Sequence, residues 1–114
     1  MKKRIYLTTM LGLASLGISS FAAEKVSPVT SEFEVKGSCE MCKMRIEKAA
    51  RSVKGVKSAK WNGAEQQLQI KFDSTRTNTD LVKKAIALKG HDTDLHKAAD
   101  TVYDALPGCC RYRH

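Results

Sequence analysis

A segment with two cysteines joins a strand pattern to a helix pattern, and it constrains the fold more than any other part of the chain. Phe33 and Val35 alternate with charged residues, which predicts a half-buried strand over residues 31–36. The turn Gly37-Ser38 then leads into a predicted helix over residues 41–53. One face of that helix carries the apolar or small residues Cys42, Ile46, Ala49, Ala50 and Val53.

The two cysteines form a Cys-x-x-Cys motif at the start of this helix, where both sulfurs are expected to face outward from a surface turn. Unpaired N–H groups and a partial positive charge at a helix N-terminus favour thiolate over thiol. Lys43 and Arg45 add positive charge nearby. Two thiolates without a required carboxylate suit soft ions such as Cu(I) and Hg(II), and Zn(II) less selectively. We interpret Cys39 and Cys42 as metal ligands, with a local disulfide as the alternative in an oxidising compartment.

A second set of strand and helix patterns follows the first helix. Val56, Ala59 and Trp61 predict a second strand whose broken alternation indicates a bulge. After the turn signal Asn62-Gly63, a third strand is predicted from alternating Leu68, Ile70 and Phe72. A second helix over residues 79–89 ends at Gly90. Residues 91–97 are interpreted as a fourth strand, with Thr93 and Leu95 facing inward.

The predicted order β-α-β-β-α-β indicates an α+β fold of the ferredoxin-like type. In that arrangement two helices pack on one face of a four-stranded antiparallel sheet. A short C-terminal extension follows. The residues expected to form most of the core are Ile46, Ala49, Val53, Leu68, Ile70, Phe72, Leu81, Ala85 and Leu88; Trp61 is expected to cap that core or to lie at its edge.

Strand, Gly-x-Cys-x-x-Cys and a helix carrying Arg45-Ile46-Glu47 together resemble the heavy-metal-associated domain. That family includes copper chaperones, the periplasmic mercury-binding protein and N-terminal domains of copper-exporting ATPases. The resemblance covers most of the predicted domain at residues 30–97, although Gly37-Ser38 is one residue shorter than the Gly-Met-Thr usual in the family. It implies a carrier of Cu(I) or Hg(II) and not an enzyme. Its implied partner is a heavy-metal transporter or the metal-binding domain of a P-type ATPase.

The N-terminal residues 1–22 have the pattern of a cleaved signal peptide. Lys2, Lys3 and Arg4 precede a mostly apolar run over residues 5–18, and Ser20-Phe21-Ala22 provides a small-x-small cleavage site. The run is shorter than the ~20 apolar residues of a membrane span. The sequence therefore predicts an exported periplasmic protein without a permanent membrane anchor.

The charge of the chain excludes some functions. Without the three basic residues of the leader, 17 of the 20 Lys and Arg remain against 12 Asp and Glu, a formal charge of +5. This excess is spread along the chain without interleaved aromatic residues, which argues against nucleic acid as a partner. It suits docking onto an acidic partner, or simply a solvated surface.

Two other functions use the same cysteines. A thioredoxin-like dithiol oxidoreductase also carries Cys-x-x-Cys, but the chain has no aromatic residue just before Cys39 and repeats β-α-β instead of building a larger mixed sheet. A passive metal-resistance buffer would need the same two thiolates as a chaperone. The sequence contains no Ser-His-Asp set, no phosphate-binding loop and no carboxylate pair at the cysteines.

Three further residues are candidate auxiliary ligands. His91 follows Gly90 in a loop that, in the resembling family, lies beside the metal; it is either a third ligand or an exposed loop histidine. Cys109 and Cys110 lie in the extension, residues 98–114. A short helix over residues 98–106, broken by Pro107-Gly108, would return these cysteines to Cys39 and Cys42 as a thiolate or a disulfide partner. The alternative is an independent tail whose thiols pair between molecules.

Overall fold

The computed structural model describes residues 27–114, so the predicted signal peptide at residues 1–22 lies outside the described residues. Three strands, β1 to β3 in chain order, span Val29–Glu34, Val56–Asn62 and Gln67–Phe72; three helices, α1 to α3, span Glu40–Arg51, Thr79–Ala87 and Asp100–Asp104, and a 3₁₀ turn spans Gly108–Cys110. No helix within residues 27–114 is long and apolar enough to cross a membrane.

The three strands form one antiparallel sheet in the order β1-β3-β2, with β3 in the centre. Leu68 and Ile70 of β3 have no exposed surface, because side chains at alternate positions of the central strand face the helices. The predicted bulge in β2 is confirmed by a shift of register between Val56 and Ser58. The core of the protein thus lies between the sheet and the helices α1 and α2.

The predicted fourth strand is wrong. Within residues 27–114, only Val35 and Thr93 pair as an isolated bridge beyond the sheet. The N–H of Thr93 donates to the carbonyl oxygen of His96 at 2.8 Å, and the Thr93 hydroxyl accepts the N–H of His96 at 3.0 Å. These bonds close a turn that carries the chain away from β1, which leaves Leu95 65% exposed instead of inward.

The predicted core is confirmed in α1 and the sheet but is wrong for α2. Leu81 and Leu88 are 46% and 69% exposed, whereas Val82 and Ile86 are fully buried. The predicted and the observed buried faces of α2 are one residue apart in the sequence, which corresponds to a rotation of about 100° around the helix axis. Ala85 is partly buried, and so is Val53, which packs against the core. Of the other predicted core residues, Ile46, Ala49, Leu68, Ile70 and Phe72 are all buried, and Trp61 joins them.

The C-terminal extension packs against the domain, so the alternative interpretation, an independent tail, is wrong. Its helix, α3, has 5 residues and is shorter than predicted. The Tyr112 hydroxyl donates to the Gly90 carbonyl oxygen at 2.6 Å and accepts the Asp92 N–H at 2.8 Å. The Tyr112 ring stacks on His91 with 5.5 Å between ring centroids. These contacts fix the end of the chain against the loop that follows α2.

Arg113 forms two ion pairs in this extension. Its guanidinium lies 2.8 Å from the Asp92 carboxylate and 3.0 Å from that of Asp100. It also donates to the Ala98 carbonyl oxygen at 2.7 Å and lies 4.2 Å from the centre of the Tyr103 ring. Because one planar group meets four partners, it ties the last residues to both the extension and the domain.

Candidate metal centre

Cys39 occupies the position just before α1. Its backbone is extended, and its carbonyl oxygen accepts the N–H groups of Cys42 at 3.0 Å and Lys43 at 3.1 Å. The side chain makes no capping hydrogen bond and is half-buried. The Cys39 sulfur therefore lies at the positive end of the helix with an accessible side.

Cys42 lies in the first turn of α1 and is fully buried. Its Sγ lies 3.4 Å from the Cys39 Sγ and accepts the N–H of Ser38 at 3.3 Å. The expectation that both sulfurs lie on a surface turn is therefore correct for Cys39 and wrong for Cys42. The reason is that Cys42 shares the buried face of α1 with Ile46. The Cys39 sulfur is therefore partly accessible to solvent, whereas the Cys42 sulfur is buried.

Gly37 allows the turn to pass close to the core. A Cβ atom at this position would lie 3.0 Å from the Cys42 Cβ and 3.1 Å from the Trp61 ring. The Trp61 ring is itself fixed, since its Nε1 donates to the Val35 carbonyl oxygen at 2.9 Å. A glycine is thus required by packing at the position that orients the cysteine segment.

Replacing Gly37 with alanine is expected to lower the free energy of unfolding by about 1–3 kcal/mol, the usual cost of overpacking. Gly108→Ala is the matched control, because nothing lies within 4 Å of a Cβ placed there. Urea denaturation followed by Trp61 fluorescence measures both variants. Equal stability of the two would contradict the close packing at Gly37.

The tail cysteines lie beside the Cys-x-x-Cys segment. Cys110 is fully buried and its Sγ lies 3.2 Å from the Cys39 Sγ. Cys109 is exposed, with its Sγ 2.9 Å from Cys39 and 4.0 Å from Cys110. The hydroxyl of Ser38 donates to the Cys109 carbonyl oxygen, which connects the two segments. All four cysteines are free thiols.

Three sulfurs form the compact part of this cluster, which we call the inner site: Cys39, Cys42 and Cys110. Their Sγ atoms all lie within 4.8 Å of one another. The Arg45 guanidinium donates to the Cys110 Sγ at 3.2 Å. A cation at this position offsets part of the negative charge of several thiolates, and it does so from α1 itself.

The electrostatics of the cluster favour ionisation of one sulfur. Desolvation opposes ionisation of Cys39, but hydrogen bonds from the thiols of Cys109 and Cys110 outweigh it and lower the pKa of Cys39 to about 6. Desolvation raises the pKa of Cys110, and the neighbouring sulfurs of Cys42 and Cys39 raise it further. The pKa of Cys109 is raised by its hydrogen bond to Cys39. Near pH 7 the cluster therefore holds a thiolate at Cys39 with protonated neighbours in the tail.

His91 is not among the residues that come together in the inner site. It has no exposed surface, so the interpretation as a solvent-exposed loop histidine is wrong. Its Nδ1 lies 2.8 Å from the Lys36 carbonyl oxygen, and desolvation lowers its pKa despite that bond. With Tyr112 stacked on its ring, the observed contacts of His91 are those of a residue that fastens the tail.

Two residues that shape the site have contacts that no local pattern in the sequence predicts. Arg45 was recognised as nearby positive charge, but its hydrogen bond to Cys110 depends on where the tail returns. Arg113 had no role in the prediction, although it holds that tail through Asp92. The adjacent cysteines and the Pro107-Gly108 break are the features of the sequence that indicate the return of the tail.

Comparisons with known proteins bear on the domain that carries Cys39 and Cys42. Residues 32–92 match the model of the heavy-metal-associated domain. The chain is 34% identical over 70 residues to a copper-transporting ATPase of Oryza sativa subsp. japonica, a match that covers 60% of this chain but 7% of that protein. It is 31% identical over 55 residues to the copper chaperone CopZ of Staphylococcus haemolyticus, covering 48% of this chain and 81% of CopZ. The structure of the copper chaperone of Enterococcus hirae in its apo form is 35% identical, with a TM-score of 0.51 over 54% of this chain and 93% of that one.

Proposed function

The chain belongs to the heavy-metal-associated domain family, and from this premise we propose that it binds and carries a soft metal ion, with Cu(I) favoured. The observation that carries the proposal is the inner site, in which the sulfurs of Cys39, Cys42 and Cys110 lie within 4.8 Å of one another. Three thiolates at this separation need only small movements to surround one ion. The proposed activity is binding and transfer, not catalysis.

The ligand chemistry supports Cu(I) over harder ions. Every candidate ligand atom of the inner site is a sulfur, and soft thiolates select Cu(I) and other thiophilic ions. Hg(II) meets the same requirement and is the second candidate ion. Zn(II) usually takes four ligands in a closed site, and here the fourth sulfur, Cys109, is exposed at the edge of the cluster. The two curated relatives described above are both named for copper, which adds weight to Cu(I).

Transfer requires that an incoming ligand reach the bound ion. A surface cavity of about 260 Å³ opens beside Cys39 and is lined in part by Ser38, Lys43 and Trp61. A thiolate from a partner entering there would meet Cys39 before the buried Cys42. The access to Cys39 therefore supports the role of a carrier, whereas a passive buffer has no need for a partner's ligand to reach the ion.

The proposed partner is a heavy-metal transporter or the metal-binding domain of a P-type ATPase, and the proposed location is the periplasm. The first rests on the similarity of 60% of this chain to part of a copper-transporting ATPase. The second rests on the leader pattern of residues 1–22. The likeness to a small copper chaperone supports a mobile carrier on the way to such a transporter.

Competition between the reduced protein and a chromophoric Cu(I) chelator tests the proposal. We expect the protein to remove Cu(I) from the chelator, and to prefer Cu(I) and Hg(II) over Zn(II) when the ions are offered in turn. Complete retention of Cu(I) by a chelator of micromolar affinity would contradict metal binding. The periplasmic location is tested separately, by mass spectrometry of the mature N-terminus after expression.

A dithiol oxidoreductase is the second candidate function, and one observation favours it. The Cys39 sulfur, with a pKa of about 6, lies 2.9 Å from the exposed Cys109 sulfur, as a reactive thiolate beside a resolving thiol would. Reduction of insulin with dithiothreitol as the thiol donor distinguishes the two functions. Turnover above that of free dithiol would establish the reductase, and the carrier is expected to show none.

A further inference from the structure

A fifth sulfur lies against the cysteine cluster on its exposed side. Met41 is in the first turn of α1 and its side chain is 49% exposed. Its Sδ lies 3.7 Å from the Sγ of Cys109, which is also exposed. About half of the Met41 side chain is exposed, so it fills little of the core, and its sulfur accepts a hydrogen bond from the Cys109 thiol.

Met41, Cys109 and Cys39 together form a second set of soft ligands, which we call the outer site. The Cys109 sulfur is its centre, 2.9 Å from the Cys39 sulfur and 3.7 Å from the Met41 sulfur. Thioether and thiolate sulfur are both ligands that Cu(I) accepts. The outer site shares only Cys39 with the inner site, and a thiolate has enough lone pairs to bridge two Cu(I) ions.

We propose that the outer site binds a second Cu(I) ion, with Cys39 bridging it to the ion of the inner site. This inference rests on the proposed function, because it requires the inner site to hold Cu(I). The two sites differ in accessibility: Cys109 and Met41 are exposed, whereas Cys42 and Cys110 are fully buried. An arriving ion therefore meets the outer site first and reaches the inner site by ligand exchange through Cys39.

The charges of the doubly loaded cluster are compatible with this arrangement. Binding of the second ion displaces the proton of Cys109, which passes to solvent, and copper remains Cu(I) throughout. Four thiolates and two Cu(I) ions leave a net charge of −2, since the thioether is neutral. The Arg45 guanidinium, 3.2 Å from the Cys110 sulfur, and the positive end of α1 offset part of that charge.

Native mass spectrometry of the reduced full-length chain, titrated anaerobically with Cu(I), tests the inference. We expect a monomer carrying two Cu(I) ions, the second bound more weakly than the first. Cys109→Ser should reduce the maximum to one ion per monomer. Met41→Leu, which keeps the shape of the side chain but removes the sulfur, should weaken only the second ion by about 10-fold or more, as loss of a supporting ligand does.

Met44→Leu is the matched control for Met41→Leu. Met44 lies on the same helix and is 65% exposed, so its replacement removes an exposed thioether of the same kind. Met44→Leu should leave the affinity for both Cu(I) ions unchanged. Circular dichroism should show native folding in all three variants, since each changes an exposed side chain.

The outcomes separate this inference from the proposed function. One Cu(I) per native monomer, or two that survive Cys109→Ser, would overturn the outer site and leave the inner site intact. No bound Cu(I) at all would overturn both. An equal effect of Met41→Leu and Met44→Leu would show that the Met41 thioether is not a ligand in the outer site.

Discussion

Replacing Cys39 with serine is expected to lower Cu(I) affinity more than any other single substitution. The Cys39 sulfur lies 3.4 Å from Cys42, 3.2 Å from Cys110 and 2.9 Å from Cys109, so it belongs to both proposed sites. Loss of a residue that merely supports a metal ligand usually costs ~10–100-fold in affinity. Loss of the shared ligand should exceed about 100-fold. Competition with a Cu(I) chelator measures the affinity.

The same substitution should not reduce stability. Cys39 precedes the first turn of α1 and makes no capping hydrogen bond, whereas serine is among the preferred residues at that position. The free energy of unfolding should stay within about 0.5 kcal/mol of the native value or rise by up to about 1 kcal/mol. A Cys39→Ser protein that binds Cu(I) within threefold of the native affinity would contradict the assignment.

Cys42→Ser is the informative comparison. Cys42 is fully buried against the core, so this variant should lose both affinity and stability. Only Cys39→Ser separates the two effects.

Replacing Arg113 with alanine is expected to have the largest effect on stability among the charged residues of the tail. The Arg113 side chain is 22% exposed and the Asp92 side chain 17%, so the pair is mostly shielded from water. Removal of Arg113 leaves the Asp92 carboxylate without its cation and removes the contact with the Tyr103 ring. We expect a loss of about 2–3 kcal/mol, below the 3–5 kcal/mol of a fully buried pair. Chemical denaturation of the apo-protein measures it.

Arg113→Ala should also weaken Cu(I) binding, because Cys110 depends on the tail for its position. Its affinity should fall to that of Cys110→Ser, and combining the two substitutions should give no further loss. Arg111→Ala is the matched control, since Arg111 donates only to the carbonyl oxygens of Leu106 and Asp104 within the tail. Native affinity in Arg113→Ala would show that the tail reaches the site without this ion pair.

The pH dependence of the Arg113→Ala effect provides an independent check. Desolvation of the Asp92 carboxyl opposes ionisation, but its hydrogen bonds from Arg113 outweigh this and lower its pKa. A carboxyl whose pKa is lowered on folding adds stability above its usual value of ~3.9, and this stability is lost as pH falls through the lowered pKa. The difference between native and Arg113→Ala proteins should therefore be full at pH 7 and shrink below about pH 4.

Local patterns in the sequence determined the framework of this protein. The alternation around Phe33 and along β3 identified the strands, and the spacing of Ile46 and Ala49 identified the buried face of α1, because each pattern has the period of the backbone that carries it. The Cys-x-x-Cys motif identified Cys39 and Cys42 by the same local reasoning. The adjacent cysteines and Pro107-Gly108 indicated that the tail returns.

Only the tertiary structure decided which sulfur atoms lie close together and which of the predicted strands and helices form. α2 carries apolar residues on two neighbouring stripes, so only packing determined that Ile86 is buried and Leu88 exposed. The fourth strand is absent from residues 91–97 because Thr93 closes a turn and Asp92 pairs with Arg113, 21 residues further along the chain. The distance from Met41 to Cys109, 68 residues apart, depends on the same tail contacts. Contacts between distant residues follow from how the whole chain packs, and no periodicity in a local segment encodes them.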